Sequence, residues 1–175
     1  LEISSIAKIN LSQLLDKQQA IDLLSTAYEQ IKGLNDKLLQ QQLLIFLVQQ
    51  SKENFPSMTW NALQELSSLP ELKKHPRQYS QLFGYQSHLY FHRGKLEDAL
   101  ALIQRAIFIA QQEPDLLMLW EWHQGKILTS IDKQAALSAY RRAESHLQKI
   151  RSSIPVRYVD GRSSYREMLS PLYMQ

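Results

Sequence analysis

Apolar residues recur at helical spacing along almost all of the first 153 positions, and the runs they form are closed by glycines, prolines and short polar stretches. Gly33 follows Gln30-Ile31-Lys32 as a helix stop should, and Asn35 is placed to cap the helix after it. The stretch KENFPS at 52–57 reads as a connection. LPELKKHPRQ at 69–78 contains two prolines and must interrupt a helix. Arg93-Gly94 closes another run, Pro114 opens one, and Ser130-Ile131-Asp132 is a tight turn. The pattern predicts helices over 3–15, 17–32, 36–51, 58–69, 77–93, 95–112, 114–129 and 132–151. Long helices joined by short connections are the signature of antiparallel helix pairs.

The pattern changes after residue 153. Pro155 turns Ile154 away from helical backbone, Val156 and Tyr158 alternate as in an extended segment, and Asp160-Gly161 makes a turn. Ser164-Tyr165-Arg166-Glu167 is a capping box that opens a new helix, with Met168, Leu169, Leu172 and Tyr173 on its apolar face. The expected organisation is a helical array over 1–153, then a connector and helical stub over 154–175 whose apolar face must pack on something.

The array repeats itself. In GKLEDALALIQRAIFIA, Ala99, Ile103 and Ala106 form a small–large–small frame; Ala136, Tyr140 and Ala143 repeat it 37 residues later. Ala20, Leu24 and Ala27 show the same frame, and Ala62, Leu66 and Leu69 show it more loosely. Small residues seven apart share one helix face and let a neighbouring helix approach closely. This frame resembles the second helix of the tetratricopeptide repeat. Phe83, Tyr90 and Gly94 occupy the matching first-helix and turn positions of one unit; Trp120 and Gly125 serve in the last. Gln86-Ser87 stand where the family has Leu-Gly. The resemblance implies an all-α right-handed superhelix of three to four helix pairs. Its concave groove would be lined by first-helix positions such as Gln81, His88, Phe91, His92, Trp122 and Lys126.

Charge adds an asymmetry. Residues 1–72 hold 5 Lys/Arg against 8 Asp/Glu, and residues 73–175 hold 15 against 9. A basic second half could attract an acidic peptide or partner domain, but its residues are mostly dispersed, as on an ordinary solvated surface. No groove-reading motif accompanies the basic residues, so nucleic acid is not the expected partner. Nor does any window approach the roughly 18 uncharged apolar residues that a membrane span needs. Cysteine is absent, which excludes disulfides, thiolate metal sites and a cysteine nucleophile, and fits a cytoplasmic chain. LEISSIAKIN has no basic region ahead of an apolar run, as a signal peptide would. Its lack of an initiator methionine is expected of an excised or processed form.

Candidate chemistry is sparse. There is no Gly-rich phosphate loop, HExxH or GxSxG, so no catalytic residue and no cofactor is expected. His88 and His92, four apart, share a helix face and could place two imidazoles on a metal. The nearest third ligands would be His123 or Glu121; a peptide-contacting groove without a metal, or simply exposed histidines, are the readings favoured over a metal site. Trp120 and Trp122 diverge around their helix; Trp120 is the expected core residue, and Trp122 either anchors a ligand in the groove or is buried with Trp120 between crowded helices.

The last third of the chain carries a sharper pattern: a W-x-W helix, Ala139-Tyr140-Arg141 with Ala143, Ile150-Arg151, and then Tyr158, Asp160, Gly161, Ser163, Ser164, Tyr165, Arg166, Glu167, Pro171 and Tyr173. This is similar to the junction in bacterial CHAT-domain proteins, where tetratricopeptide repeats precede a caspase- and separase-like peptidase domain. His123 stands where those proteins have glutamine. The resemblance implies a non-catalytic recognition and regulatory region that binds a protein ligand or packs on and controls the attached domain, whose catalytic His and Cys would lie beyond this chain. Tyr158, Asp160, Gly161, Ser164, Arg166, Glu167 and Tyr173 would form the connector. The alternative is a stand-alone adaptor that assembles a protein complex.

Overall fold

The structure is a computed structural model that describes residues 2–153. Its helices are α1 (Glu2–Ser12), α2 (Lys17–Lys32), α3 (Lys37–Ser51), α4 (Pro56–Ser68), α5 (Pro76–His92), α6 (Leu96–Ile109), α7 (Pro114–Leu128) and α8 (Lys133–Ser153). No strand occurs among the described residues. The expected extended segment at 154–159 lies outside them.

Two kinds of start signal set these helices. Asp16 accepts from the Gln18 and Gln19 amides at 3.0 and 2.9 Å, and Asp132 does the same for Gln134 and Ala135. Asp36 accepts from the Leu39 amide at 3.0 Å, so the cap of α3 is Asp36 and not Asn35. The other signal is proline. Pro56, Pro76 and Pro114 each open a helix, at the position where a missing N–H costs nothing. Gly94 ends α5 with φ 72°, a left-handed conformation that glycine adopts without strain. Between α4 and α5 the proline-flanked stretch winds into one 3₁₀ turn, Leu72–Lys74, and buries Leu72.

The helices stack as consecutive pairs, α1 on α2, α3 on α4, α5 on α6 and α7 on α8. Each pair then meets the next: α1 touches α3, α3 touches α5, and α5 touches α7. The register of α5 on α6 is antiparallel. Ser80 Oγ donates to the Ala106 carbonyl at 2.8 Å, and Ser87 Oγ, seven residues on, donates to the Ala99 carbonyl seven residues back, at 2.7 Å. Alanine at both positions brings that backbone within reach of a serine.

The small–large–small frame is buried in the second helix of every pair. Ala20, Leu24 and Ala27 line the inner face of α2, and Ala62 and Leu66 that of α4, with Leu69 just past its end. Ala99, Ile103 and Ala106 do so in α6, and Ala136 and Ala143 in α8, with Tyr140 half-buried between them. Hydrogen bonds from pair to pair recur near the same separation. Gln13 reaches Gln50 across 37 residues, Gln49 reaches Tyr85 across 36, and Trp120 reaches Ser80 across 40. A repeat-like all-α stack results, with one apolar core from Ile9 to Ile127 and a small satellite of Leu128, Ala136 and Ala139 under α8. None of the described helices is long and apolar enough to cross a membrane.

Candidate functional site

Helix α7 is the element to which the candidate residues refer. Toward α5 it presents Trp120, whose ring lies on the backbone of Gly84; a Cβ there would come within 2.5 Å of the indole. The indole Nε1–H donates to Ser80 Oγ at 2.9 Å, and the Tyr85 ring stands edge-on to it at 5.4 Å. The Tyr85 hydroxyl accepts from Gln49 Nε2 at 2.9 Å, so α3, α5 and α7 are tied in sequence. Arg77, near the start of α5, forks onto Glu113 and Asp115 at the start of α7. The Arg77 guanidinium holds the Asp115 carboxyl below its ordinary value, against a smaller upward push from partial burial.

One turn farther along the same interface sits a histidine cluster. His88 and His92, on one face of α5, bring their Nε2 atoms to 3.2 Å. His88 Nε2 also lies 3.3 Å from Oε1 of Glu53, which comes from the connection between α3 and α4. From α7, His123 stacks on His88 with ring centres 5.6 Å apart at 29°, and Phe91 stands edge-on to His123 at 5.6 Å. Burial pushes His88 down to about 4, aided by the charge of Lys52, while Glu53 pulls the other way. Burial likewise pushes His123 down to about 3, aided by His88 and Lys126; a backbone hydrogen bond to Ser87 opposes the shift. Both rings are therefore neutral imidazoles near neutral pH. Partial burial raises the Glu53 carboxyl, but Lys52, His88 and His92 together outweigh it and hold the group below its ordinary value.

Toward α8 the same helix is different in kind. Trp122 is 43% exposed and meets Tyr140 with ring centres 5.0 Å apart at 63°. The two rings, with Met118, Leu137, Ala143 and Leu147, line an apolar cleft of about 440 Å³ that has Arg141 and Glu144 at its edge. Tyr140 itself rests on Gly125, where a Cβ would come within 2.5 Å of the ring. Beside the cleft, Arg142 donates to Glu121 and Gln124, each at 2.9 Å.

The residues expected to share one groove fall into three places. His88, Phe91 and His92 lie together, and Lys126 acts on the His88 and His123 rings through its charge. Trp122 belongs to the separate cleft against α8. It is one residue from His123 but turned by about 100° around the helix, which directs the two side chains to different neighbours. Gln81 is buried in α5, two turns before His88. Trp120 is buried and Trp122 exposed, as the helix periodicity suggests. Of the two third ligands considered for His88 and His92, His123 stacks on His88 and Glu121 pairs with Arg142. Tyr158, Asp160, Gly161, Ser164, Arg166, Glu167 and Tyr173 lie outside the described residues.

Sequence reasoning missed Glu53, Gly84 and the serines Ser80 and Ser87. The two serines, seven apart on α5, mirror the alanines seven apart on α6, and that shared spacing was a usable signal. Glu53 gave none, because its partners lie 35 and 39 positions away. Comparisons of the chain with protein-family models, curated protein sequences and solved structures give no match.

Proposed function

We propose that this chain is a non-catalytic protein-recognition and regulatory region of tetratricopeptide type, and that the α7–α8 cleft around Trp122 is where it takes an apolar segment of its partner. One observation carries the reading: a 43%-exposed indole beside a tyrosine in an apolar cleft of about 440 Å³. An exposed tryptophan bounded by apolar walls and a charged rim has the anatomy of an interaction hot spot. The buried frame of α2, α4, α6 and α8 supports the repeat assignment, since a stack in which each pair contacts only its neighbours leaves long helix faces open to a ligand.

The similarity of the W-x-W helix, Ala139-Tyr140-Arg141 and the 158–173 pattern to the junction of CHAT-domain proteins supports an attached caspase-like domain as the controlled partner. Trp122, Tyr140, Arg141 and Ala143 belong both to that pattern and to the cleft lining, which supports reading the two together. Control would operate by ligand binding at the cleft, altering how the array sits on the domain.

Selection from a random peptide library on this chain tests the proposal. Enriched peptides should carry bulky apolar side chains, and Trp122→Ala should weaken their binding by at least about tenfold, which is the effect of losing a hot-spot anchor. Enriched peptides that bind the Trp122→Ala chain equally well would sink the cleft as the recognition site. The attached-domain reading is checked in the gene, which should encode a peptidase-like domain downstream of Gln175.

A further inference from the structure

We infer that Glu53, His88 and His92 form a divalent transition-metal site of the zinc class, bracing the α3–α4 connection against α5. The three ligand atoms, one carboxylate oxygen and two imidazole nitrogens, all lie within 4.8 Å of one another. Around a tetrahedral zinc with bonds of about 2.0–2.1 Å, ligand atoms are separated by about 3.3 Å. The pair His88 Nε2–His92 Nε2 stands at 3.2 Å and His88 Nε2–Glu53 Oε1 at 3.3 Å. Two edges of the coordination polyhedron therefore already have the length a metal requires, and the third spans at most 4.8 Å between two exposed side chains.

Hydrogen bonding explains the same convergence less well. A neutral His88 has either a proton or a lone pair on Nε2, so it cannot satisfy both the carboxylate and a second imidazole with good geometry. A cation at the common point satisfies all three at once. Helical spacing fixes two of the ligands, since residues four apart project from one face of α5.

A second, independent observation lies behind the ligands. His88 Nδ1 and His123 Nε2 are buried without a hydrogen-bond partner, and they belong to rings stacked 5.6 Å apart. His123 bonds the Ser87 backbone, and with Nε2 unpartnered that bond uses Nδ1 and leaves a lone pair on Nε2. A metal on His88 Nε2 would fix the His88 proton on Nδ1, leaving a donor on the ring that stacks against the His123 acceptor. Ligating histidines characteristically hand their other N–H to such a partner. Metal binding would thus set complementary roles, donor and acceptor, on the two orphaned nitrogens. A cleft of about 240 Å³ borders Glu53 and His92, with Lys52 and Arg93 in its lining. Lys52, which shares Glu53, has to give way to the ion.

This site involves neither Trp122 nor the α7–α8 cleft, so it stands or falls apart from the recognition proposal. The test is titration of the chain with Zn²⁺ against a chromophoric chelator at pH 7.5, in wild type, His92→Ala and Glu53→Gln, with a thermal melt of each form. Both substituted side chains are exposed, so the fold should survive, and circular dichroism verifies it. One zinc per chain is expected, with affinity reduced at least about tenfold in each variant, and with a zinc-dependent rise in Tm in wild type alone. Absence of stoichiometric zinc binding, or equal affinity in wild type and both variants, would overturn the inference.

Discussion

On its α5 side, helix α7 places Trp120 over Gly84; on its α8 side it offers Gly125 to the ring of Tyr140. Both contacts set an aromatic ring directly on a glycine backbone, and both would be invaded to the same 2.5 Å by an added Cβ. The rings differ in their freedom. Trp120 is 5% exposed, hydrogen-bonded to Ser80 and braced by Tyr85. Tyr140 is half-buried and bordered by the open cleft, with its hydroxyl 3.3 Å from Thr129 Oγ1. The same local motif therefore makes a closed seam on one face and borders an open cleft on the other. What surrounds a contact decides which it becomes.

The largest effect expected from this contrast is at the glycines. Gly84→Ala should cost about 3 kcal/mol, since the indole has nowhere to move and overpacking a dense site costs about 1–3 kcal/mol or more. Gly125→Ala should cost about 1 kcal/mol, because Tyr140 can swing toward the cleft. Denaturant midpoints of the two variants measure the difference, and equal losses would erase the distinction between the faces.

The tryptophans sharpen it further. Trp120→Phe removes the donor to Ser80 and leaves a void in the seam, an expected loss of about 2 kcal/mol. Trp122→Phe, at an exposed position, should stay within about 0.5 kcal/mol of wild type. The smallest effect concerns acid. Asp115 is held below its ordinary carboxyl range by Arg77, so its pairing stabilises the fold above pH ~4, where the unfolded carboxylate is ionised, and that contribution is lost as pH falls through the depressed folded value. The pair is solvent-accessible, so its worth is below about 1 kcal/mol. Asp115→Asn should reduce Tm slightly at pH 7 and leave it unchanged at the acidic end of the titration.

Much of the scaffold was readable in advance because its signals are local. Pro114, Gly94 and the 69–78 prolines punctuate the helices wherever they occur, and Ala99–Ile103–Ala106 announces a close-packed face without reference to its partner. The Asn35 cap was displaced by one residue because Asp36, an equally good acceptor, sits next to it. The candidate sites were less legible, since they depend on contacts between pairs. Trp122 was grouped in one groove with His88 and His92, and only the placement of α5 and α8 reveals that it turns to Tyr140 instead. Glu53 joins His88 and His92 because α3 ends one layer below them, a fact of stacking that no spacing in the chain encodes.

The central claim, that α7 divides a closed seam from an open recognition cleft, is tested most directly by the indole N–H resonances of the three tryptophans in solution. Trp→Phe variants assign them. The Trp120 indole, which donates to Ser80 in the seam, should exchange with solvent about 100-fold or more slowly than that of Trp122, and it should keep its shift when a selected peptide is added. The Trp122 signal should exchange fast and move on peptide addition. A fast-exchanging Trp120, or a bound peptide that leaves the Trp122 resonance in place, would contradict the account.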